Sequence, residues 1–200
     1  MPRITCKVCR RSGESLCGRE KCAYKKRPFA PGILDSQRKH KGSFSEYGQQ
    51  LNEKRKVRNT YGLREKQFAG YVEKAMATKG ANTVELIWKS LETRLDNVVF
   101  RAGFAGTRAL ARQLVSHGHI TVNGKRTTIA SFQVKVGDVV AVRENSRQNT
   151  YFIKMFEKFE AKAPSWLTYS AKDHSVTVKA LPKEMDQGFN FQTIVEFYSR

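Results

Sequence analysis

Cys6, Cys9, Cys17 and Cys22 are the only cysteines in the 200-residue chain, and they follow the spacing C-x2-C-x7-C-x4-C. From Lys7 to Lys21 only Val8 and Leu16 are apolar, cysteine aside. Such a stretch cannot fold by burial alone; it needs a cross-link or a metal. An intracellular compartment keeps thiols reduced, which argues against two disulfides. Two close pairs of thiolates instead supply the four convergent ligands of a tetrahedral metal. The x2 spacing lets Cys6 and Cys9 bite from one tight turn. Lys7, Arg10, Arg11, Arg19 and Lys21 lie among the cysteines and would stabilise a doubly negative tetrathiolate centre. Zn2+ is the expected ion, with an iron–sulfur cluster as the alternative. Four thiolates leave no open position for water, so the site is expected to be structural. Glu14 and Glu20 are not needed as ligands.

The formal net charge is +19 and the pI is near 10.0. Repulsion on that scale calls for an acidic partner: nucleic acid, an anionic membrane or an acidic protein. No run approaches ~20 apolar residues, and MPRITCKVC has neither a signal-peptide h-region nor room for a presequence. A soluble, uncleaved, intracellular protein is expected, with no membrane and no small-molecule substrate. The charge is uneven. Residues 1–60 carry a net +11, residues 61–159 a net +8, and residues 160–200 none. The cationic surface therefore belongs to the first four-fifths of the chain.

After the cysteines, KKRPFAPG sets Lys25, Lys26 and Arg27 beside a Pro-containing turn, which suits a phosphate backbone; the plain alternative is a solvated linker. Ser45 is expected to cap a helix running to about Arg58, with Lys54, Arg55 and Arg58 on one side and Tyr47 and Leu51 on another. A second helix is expected from about Arg64 to Thr78, burying Phe68, Val72, Ala75 and Met76. Asn82 and Glu85 form a capping-box-like start for a third. Phe68 and Trp88 are expected in the core rather than stacked on bases.

At Thr93 the pattern restarts. Thr93 and Asp96 can cap a helix whose face is Leu95, Val98, Val99 and Ala102. Thr107 caps the next, with Leu110 and Leu114 inward and Arg108 and Arg112 on a shared outer face. Arginines at i, i+4 repel unless an anion sits between them; a solvated basic face is the alternative. ITVNGKR reads as a hairpin with a type I′ turn at Asn123-Gly124, and VKVGDVVAV as a further strand pair turning at Gly137-Asp138. In the tail, Ser175–Val178 alternates as a strand, and the apolar run from Phe189 to Tyr198 is expected to bury.

RLDNVVFRAGF and TRALARQLVSHGHITVNGKR resemble the RNA-binding module named after bacterial small-subunit ribosomal protein four. The cysteine knuckle, KKRPFAPG, RNTYGLREKQF and the terminal VEFYSR extend the likeness to that ribosomal protein family over nearly the whole chain. The module alone is shared with RNA-modifying enzymes and tyrosyl-tRNA synthetases; module and flanks together are specific. The x7 spacer is shorter than in zinc-bearing members, so the loop must be tighter, and other members lack the cysteines altogether.

The resemblance implies an α+β protein: a helical N-terminal domain with a four-cysteine metal knuckle, plus a small two-helix/β-sheet RNA-binding module. The expected ranges are 1–92, completed by roughly 180–200, then 93–160, with 161–200 packing back on the first domain. It implies a non-enzymatic constituent of the cytoplasmic small ribosomal subunit. Such a protein binds the 5′ domain of small-subunit (16S-type) rRNA and nucleates assembly of the subunit body. It lies where mRNA enters, beside ribosomal proteins three and five, and bears on translational accuracy. The module's motif falls on Arg94, Asp96, Arg101, Arg108, Arg112, Gln113, His117, His119, Asn123 and Lys125.

Physical chemistry divides their roles. Expected rRNA contacts are Arg10, Arg11, Lys25, Lys26, Arg27, Lys54, Arg55 and Arg58, followed by Arg94, Arg101, Arg108, Arg112, His117, Lys125 and Arg126. Asp96 cannot meet phosphate and is read as a cap and an orienter of a neighbouring arginine. His117 and His119 can bond helix-terminal carbonyls or meet phosphate. An RNA-modifying enzyme or RNA-binding stress factor with the same module is the alternative. The residues after the module show no acid pair or Cys/His constellation to support an enzyme.

Overall fold

The computed structural model describes residues 5–32, 45–157, 164–170, 173–182 and 188–199. The N-terminal residues read for a leader and the boundary drawn at 160/161 lie outside the described residues. In chain order the helices α1 (Cys6–Ser12), α2 (Ala23–Lys26), α3 (Glu46–Thr60), α4 (Glu65–Ala77), α5 (Thr83–Glu92), α6 (Leu95–Arg101) and α7 (Arg108–Ser116) come first. Strands β1 (Ile120–Val122), β2 (Lys125–Arg126) and β3 (Val139–Val142) follow, then α8 (Glu144–Arg147), α9 (Thr150–Glu157), β4 (Leu167–Ser170), β5 (Ser175–Val178) and α10 (Phe191–Tyr198). The chain forms two compact units, Met1–Ile87 with Asp186–Arg200, and Trp88–Met185.

The first unit is helical. Ser45 caps α3 by accepting the Gly48 N–H, and Glu46 lies where the helix dipole favours an acid. The buried stripe of α3 is Gln50, Lys54 and Val57, spaced i, i+4, i+7. Tyr47, expected on a different side of the helix from the cations, is 53% exposed. On α4 Phe68, Val72 and Ala75 are buried as expected, whereas Met76 is exposed. Asn82 caps α5 by accepting from the Val84 N–H at 3.0 Å. The last helix, α10, returns to pack on α3 and α4, burying Phe191 and Ile194. Phe68 and Tyr198 meet at 6.3 Å between ring centroids, and so do Tyr61 and Phe189.

The second unit packs α6, α7 and α9 on one face of an antiparallel sheet ordered β2-β1-β3-β5-β4. Ile120, Val122, Val140, Val142, Val176 and Val178 face the core, with Leu95, Val98, Val99 and Phe152 against them. Asn123 and Gly124 have φ of 50° and 77°, as a type I′ turn requires. Two expectations are corrected. Only Val139–Val142 of VKVGDVVAV is a strand; Val134 is tied to Thr93 by an N–H to carbonyl bond of 2.9 Å. And β4 and β5, expected within a tail returning to the first domain, belong to the second unit. They extend the sheet of the second, because β3 offers a backbone edge that β5 satisfies in register, Val140 opposite Val176. The described tail rejoins the first unit only from Gly188.

Candidate nucleic-acid interface and metal centre

The knuckle is built by α1, a loop with left-handed turns at Gly13 and Gly18, and α2. The thiols of Cys6, Cys17 and Cys22 lie within 4.8 Å of one another. Cys9 is fully buried, and its thiol bonds to those of Cys17 and Cys22. In a tetrahedral zinc site with Zn–S of about 2.3 Å the sulfurs stand about 3.8 Å apart. Cys6, Cys17 and Cys22 make up the close group, and Cys9, expected from the spacing as the fourth ligand, is not in it. Burial pushes the Cys9 thiol up to about 12. Burial acts the same way on Cys22, but bonds from the Ser15 side chain, the Tyr24 backbone and the Cys17 and Cys9 thiols outweigh it and bring it down to about 7. Glu14, free of ligand duty, pairs with Lys56 of α3 at 2.9 Å.

The cations read as rRNA contacts in this unit fall into two groups. Arg11, Lys25, Lys26, Arg27 and Arg55 are exposed. Arg10 is engaged: its Nε donates to the Phe29 carbonyl at 2.8 Å and its guanidinium lies 4.8 Å from the Phe29 ring centroid, which pins the basic loop. Lys54 is not a surface cation. Its ammonium is 2.6 Å from Glu65 and 4.4 Å from the Phe197 ring centroid, and it is 9% exposed. A lysine buries its methylenes this way when a carboxylate and an aromatic face take its head. Arg58 pairs with the other oxygen of Glu65 at 2.8 Å. These two side chains bind the first unit together rather than standing clear for phosphate.

In the second unit every residue from Leu91 to Val99 is buried, polar ones included. Glu92, 1% exposed, accepts Arg101 Nε and Nη2 at 3.0 Å each, and Asn97 Nδ2 at 3.0 Å. Asn97 Nδ2 also donates to the Glu92 carbonyl, which turns Oδ1 towards Arg108 Nε at 2.8 Å. The Arg108 guanidinium sits 4.5 Å from the Phe100 ring centroid. Asp96 accepts Arg94 Nε at 3.0 Å and Nη2 at 2.8 Å, and Arg112 Nε at 2.7 Å.

Three expectations change here. Arg94 is 2% exposed and committed to Asp96, so it is not placed to meet phosphate. Asp96 does not cap α6; it orients two arginines. Thr93 does not cap it either, because the N-cap position falls on Arg94 and no side chain accepts there. Arg108 is held by the Asn97 amide and Arg112 by the Asp96 carboxylate, so the protein itself supplies the anion beside this pair. Arg101, Arg108 and Arg112 remain partly exposed. Sequence reasoning missed Glu92 and Asn97; the signal was a carboxylate and an amide inside a run otherwise rich in apolar residues.

Thr107 caps α7 through the Leu110 N–H at 3.2 Å. His117 is exposed at the helix end, while His119 faces Ser146 Oγ at 3.0 Å through Nδ1. Burial, then the charges of His117, Arg126 and Arg143, hold His119 below its ordinary range. Lys125 and Arg126 are exposed on the hairpin, and the Arg126 side chain folds over Gly118, whose φ of 76° favours glycine.

A helical N-terminal unit and a two-helix module on a small sheet, both rich in arginine, define an RNA-binding protein of ribosomal type. Family models agree: the Ribosomal protein S4/S9 N-terminal domain matches residues 2–92 and the S4 domain matches residues 93–140. Proteins named small ribosomal subunit protein uS4 are similar over nearly their whole length. The one from Oleidesulfovibrio alaskensis is 46% identical across 98% of this chain and 96% of its own. That from Roseiflexus sp. strain RS-1 is 47% identical across 97% and 96%. That from Acetivibrio thermocellus is 46% identical across 98% and 97%. The chain belongs to the uS4 family of small-subunit ribosomal proteins.

Proposed function

We propose that this protein is a structural, non-enzymatic constituent of the small ribosomal subunit in the cytoplasm, bound to its rRNA. The observation that carries the reading is the full-length match: the module and its N-terminal domain align together with uS4 proteins. An enzyme or stress factor that borrowed only the module would not share both parts, so that alternative is not favoured. Within this role the protein binds the 5′ domain of the rRNA and nucleates assembly of the subunit body, where mRNA enters and beside ribosomal proteins three and five. The exposed cations Arg11, Lys25, Lys26, Arg27, Arg55, Lys125 and Arg126 and the held arginines Arg101, Arg108 and Arg112 supply the contacts. Cys6, Cys9, Cys17 and Cys22 hold one Zn2+, which shapes the basic N-terminal loop and takes no part in chemistry.

Neutralising about 6–10 phosphates lowers affinity ~10³–10⁵-fold between roughly 50 and 200 mM salt. A titration of the chain against a 5′-domain rRNA fragment across that range tests the reading. A steep linear decline of log affinity with log salt supports it; a flat response overturns it.

A further inference from the structure

The outer face of the sheet in the second unit, turned away from its core, carries small side chains across β1, β3 and β5: Thr121, Ala141 and Ser175. Thr121 pairs with Ala141 across β1 and β3, and Val139 lies beside them. Together they floor an open groove of about 400 Å³, within the ~300–1,000 Å³ of ligand clefts. Arg126, Arg143 and Arg147 line it, and Glu144 is the sole carboxylate among its lining residues. We propose that this groove is a second anion site, which seats the phosphodiester backbone of a single RNA strand independently of its sequence. The inference rests on the rRNA-binding reading and deepens it.

The rim is organised before any ligand arrives. Arg147 Nε donates to the Val142 carbonyl at 3.2 Å and its Nη2 to the Asp173 carbonyl at 2.8 Å. Arg126 is folded over Gly118. The Arg143 N–H is tied to the His119 carbonyl at 2.9 Å, which anchors the backbone from which its exposed side chain projects. Arg126, Arg143 and Arg147 line the same groove of about 400 Å³, so their like charges oppose each other there. An anion relieves that opposition. The floor offers no aromatic face for stacking, and its small residues admit a narrow chain rather than a folded partner. Phosphate positions without specifying sequence, and arginine grips it in a fork. Only Arg126 of this rim belongs to the contacts expected from sequence; Arg143 and Arg147 are new.

The test compares three variants of the full chain on a 5′-domain rRNA fragment. Arg143→Gln removes one rim cation and leaves the carbonyl-bound Arg147 in place. Ala141→Leu fills the floor without changing charge. Lys135→Gln, an exposed residue outside the groove lining, controls for net charge. The expected result is a loss of affinity of roughly three- to tenfold for Arg143→Gln, with the salt slope reduced by about 1. Ala141→Leu should lose a similar amount with circular dichroism and melting unchanged, and Lys135→Gln should lose much less. Equal losses for Arg143→Gln and Lys135→Gln with none for Ala141→Leu would show a long-range field and overturn the site. Loss of poly-L-glutamate binding with rRNA binding intact would assign the groove to an acidic peptide and overturn it too. If the wild-type chain itself failed to bind the fragment, the broader rRNA reading would fall instead.

Discussion

Asn97 Oδ1 accepts Arg108 Nε at 2.8 Å while the same amide donates to Glu92. A buried carboxylate therefore sets the position of two arginines, Arg101 directly and Arg108 through the amide. Carboxylates repel RNA, so their burial behind arginines makes sense only if they position cations or hold the fold.

Glu92→Gln separates these effects. Removing a negative charge near a polyanion tightens binding if charge alone matters. Positioning predicts the reverse, a weaker complex, together with a loss of roughly 1–3 kcal/mol in stability. Urea midpoints and rRNA titrations on the same samples read both. Tighter binding at unchanged slope would show that Arg101 and Arg108 do not depend on Glu92.

Asp96→Ala should be the more damaging change. It removes the carboxylate shared by Arg94, whose side chain is 3% exposed, and Arg112. An uncompensated buried charge costs about 3–5 kcal/mol, so the second unit should melt many degrees earlier. Arg112→Ala leaves Asp96 still paired to Arg94 and should cost less. Differential scanning calorimetry ranks the two, and equal losses would show that Arg94 finds another partner.

Tyr198 ties α10 to the first unit through Glu65, donating at 3.1 Å. Burial, then the Glu65 charge and bond, raise the phenol above its ordinary range. A raised value means stability fully present below the unfolded value, about 10, and lost as pH climbs through the folded one. Burial pushes Glu65 up, but the bond and charge of Lys54, then bonds from Arg58 and Tyr198, hold it below its usual range. Its contribution is present above the unfolded value, about 4.3, and lost as pH falls through the lower folded one. Tyr198→Phe should cost about 0.5–1.5 kcal/mol near neutrality, and the gap to wild type should shrink above about pH 10. A gap that stays constant with pH would exclude the link.

Elemental analysis of anaerobically purified protein should find one zinc per chain and no colour. Chelation should loosen the segment around Cys9, Leu16 and Cys22 while leaving the second unit's melting unchanged, because that unit has its own apolar core. Iron with a brown colour would assign a cluster instead. Absence of any metal would show that the short loop has lost the site.

What the sequence determined by itself was local or compositional. The helix starts at Ser45 and Thr107, the Asn123-Gly124 turn, the cysteine spacing and the charge imbalance all depend on neighbours a few residues apart. So did the family, because its motifs are contiguous. What tertiary structure decided was partnership across the chain. Lys54 looked like a surface cation until Glu65 and Phe197 closed over it, 11 and 143 residues away. Arg94, Arg101, Arg108 and Arg112 looked alike, yet the first is buried against Asp96, while Glu92, Asn97 and Asp96 fix the other three from earlier in the chain. That β4 and β5 join the sheet beside β3 could not be read from net charge, which says nothing about which backbone edge stands open. A side chain's type is written in the chain; whether its charge faces water, a carboxylate or RNA depends on what the fold brings to it.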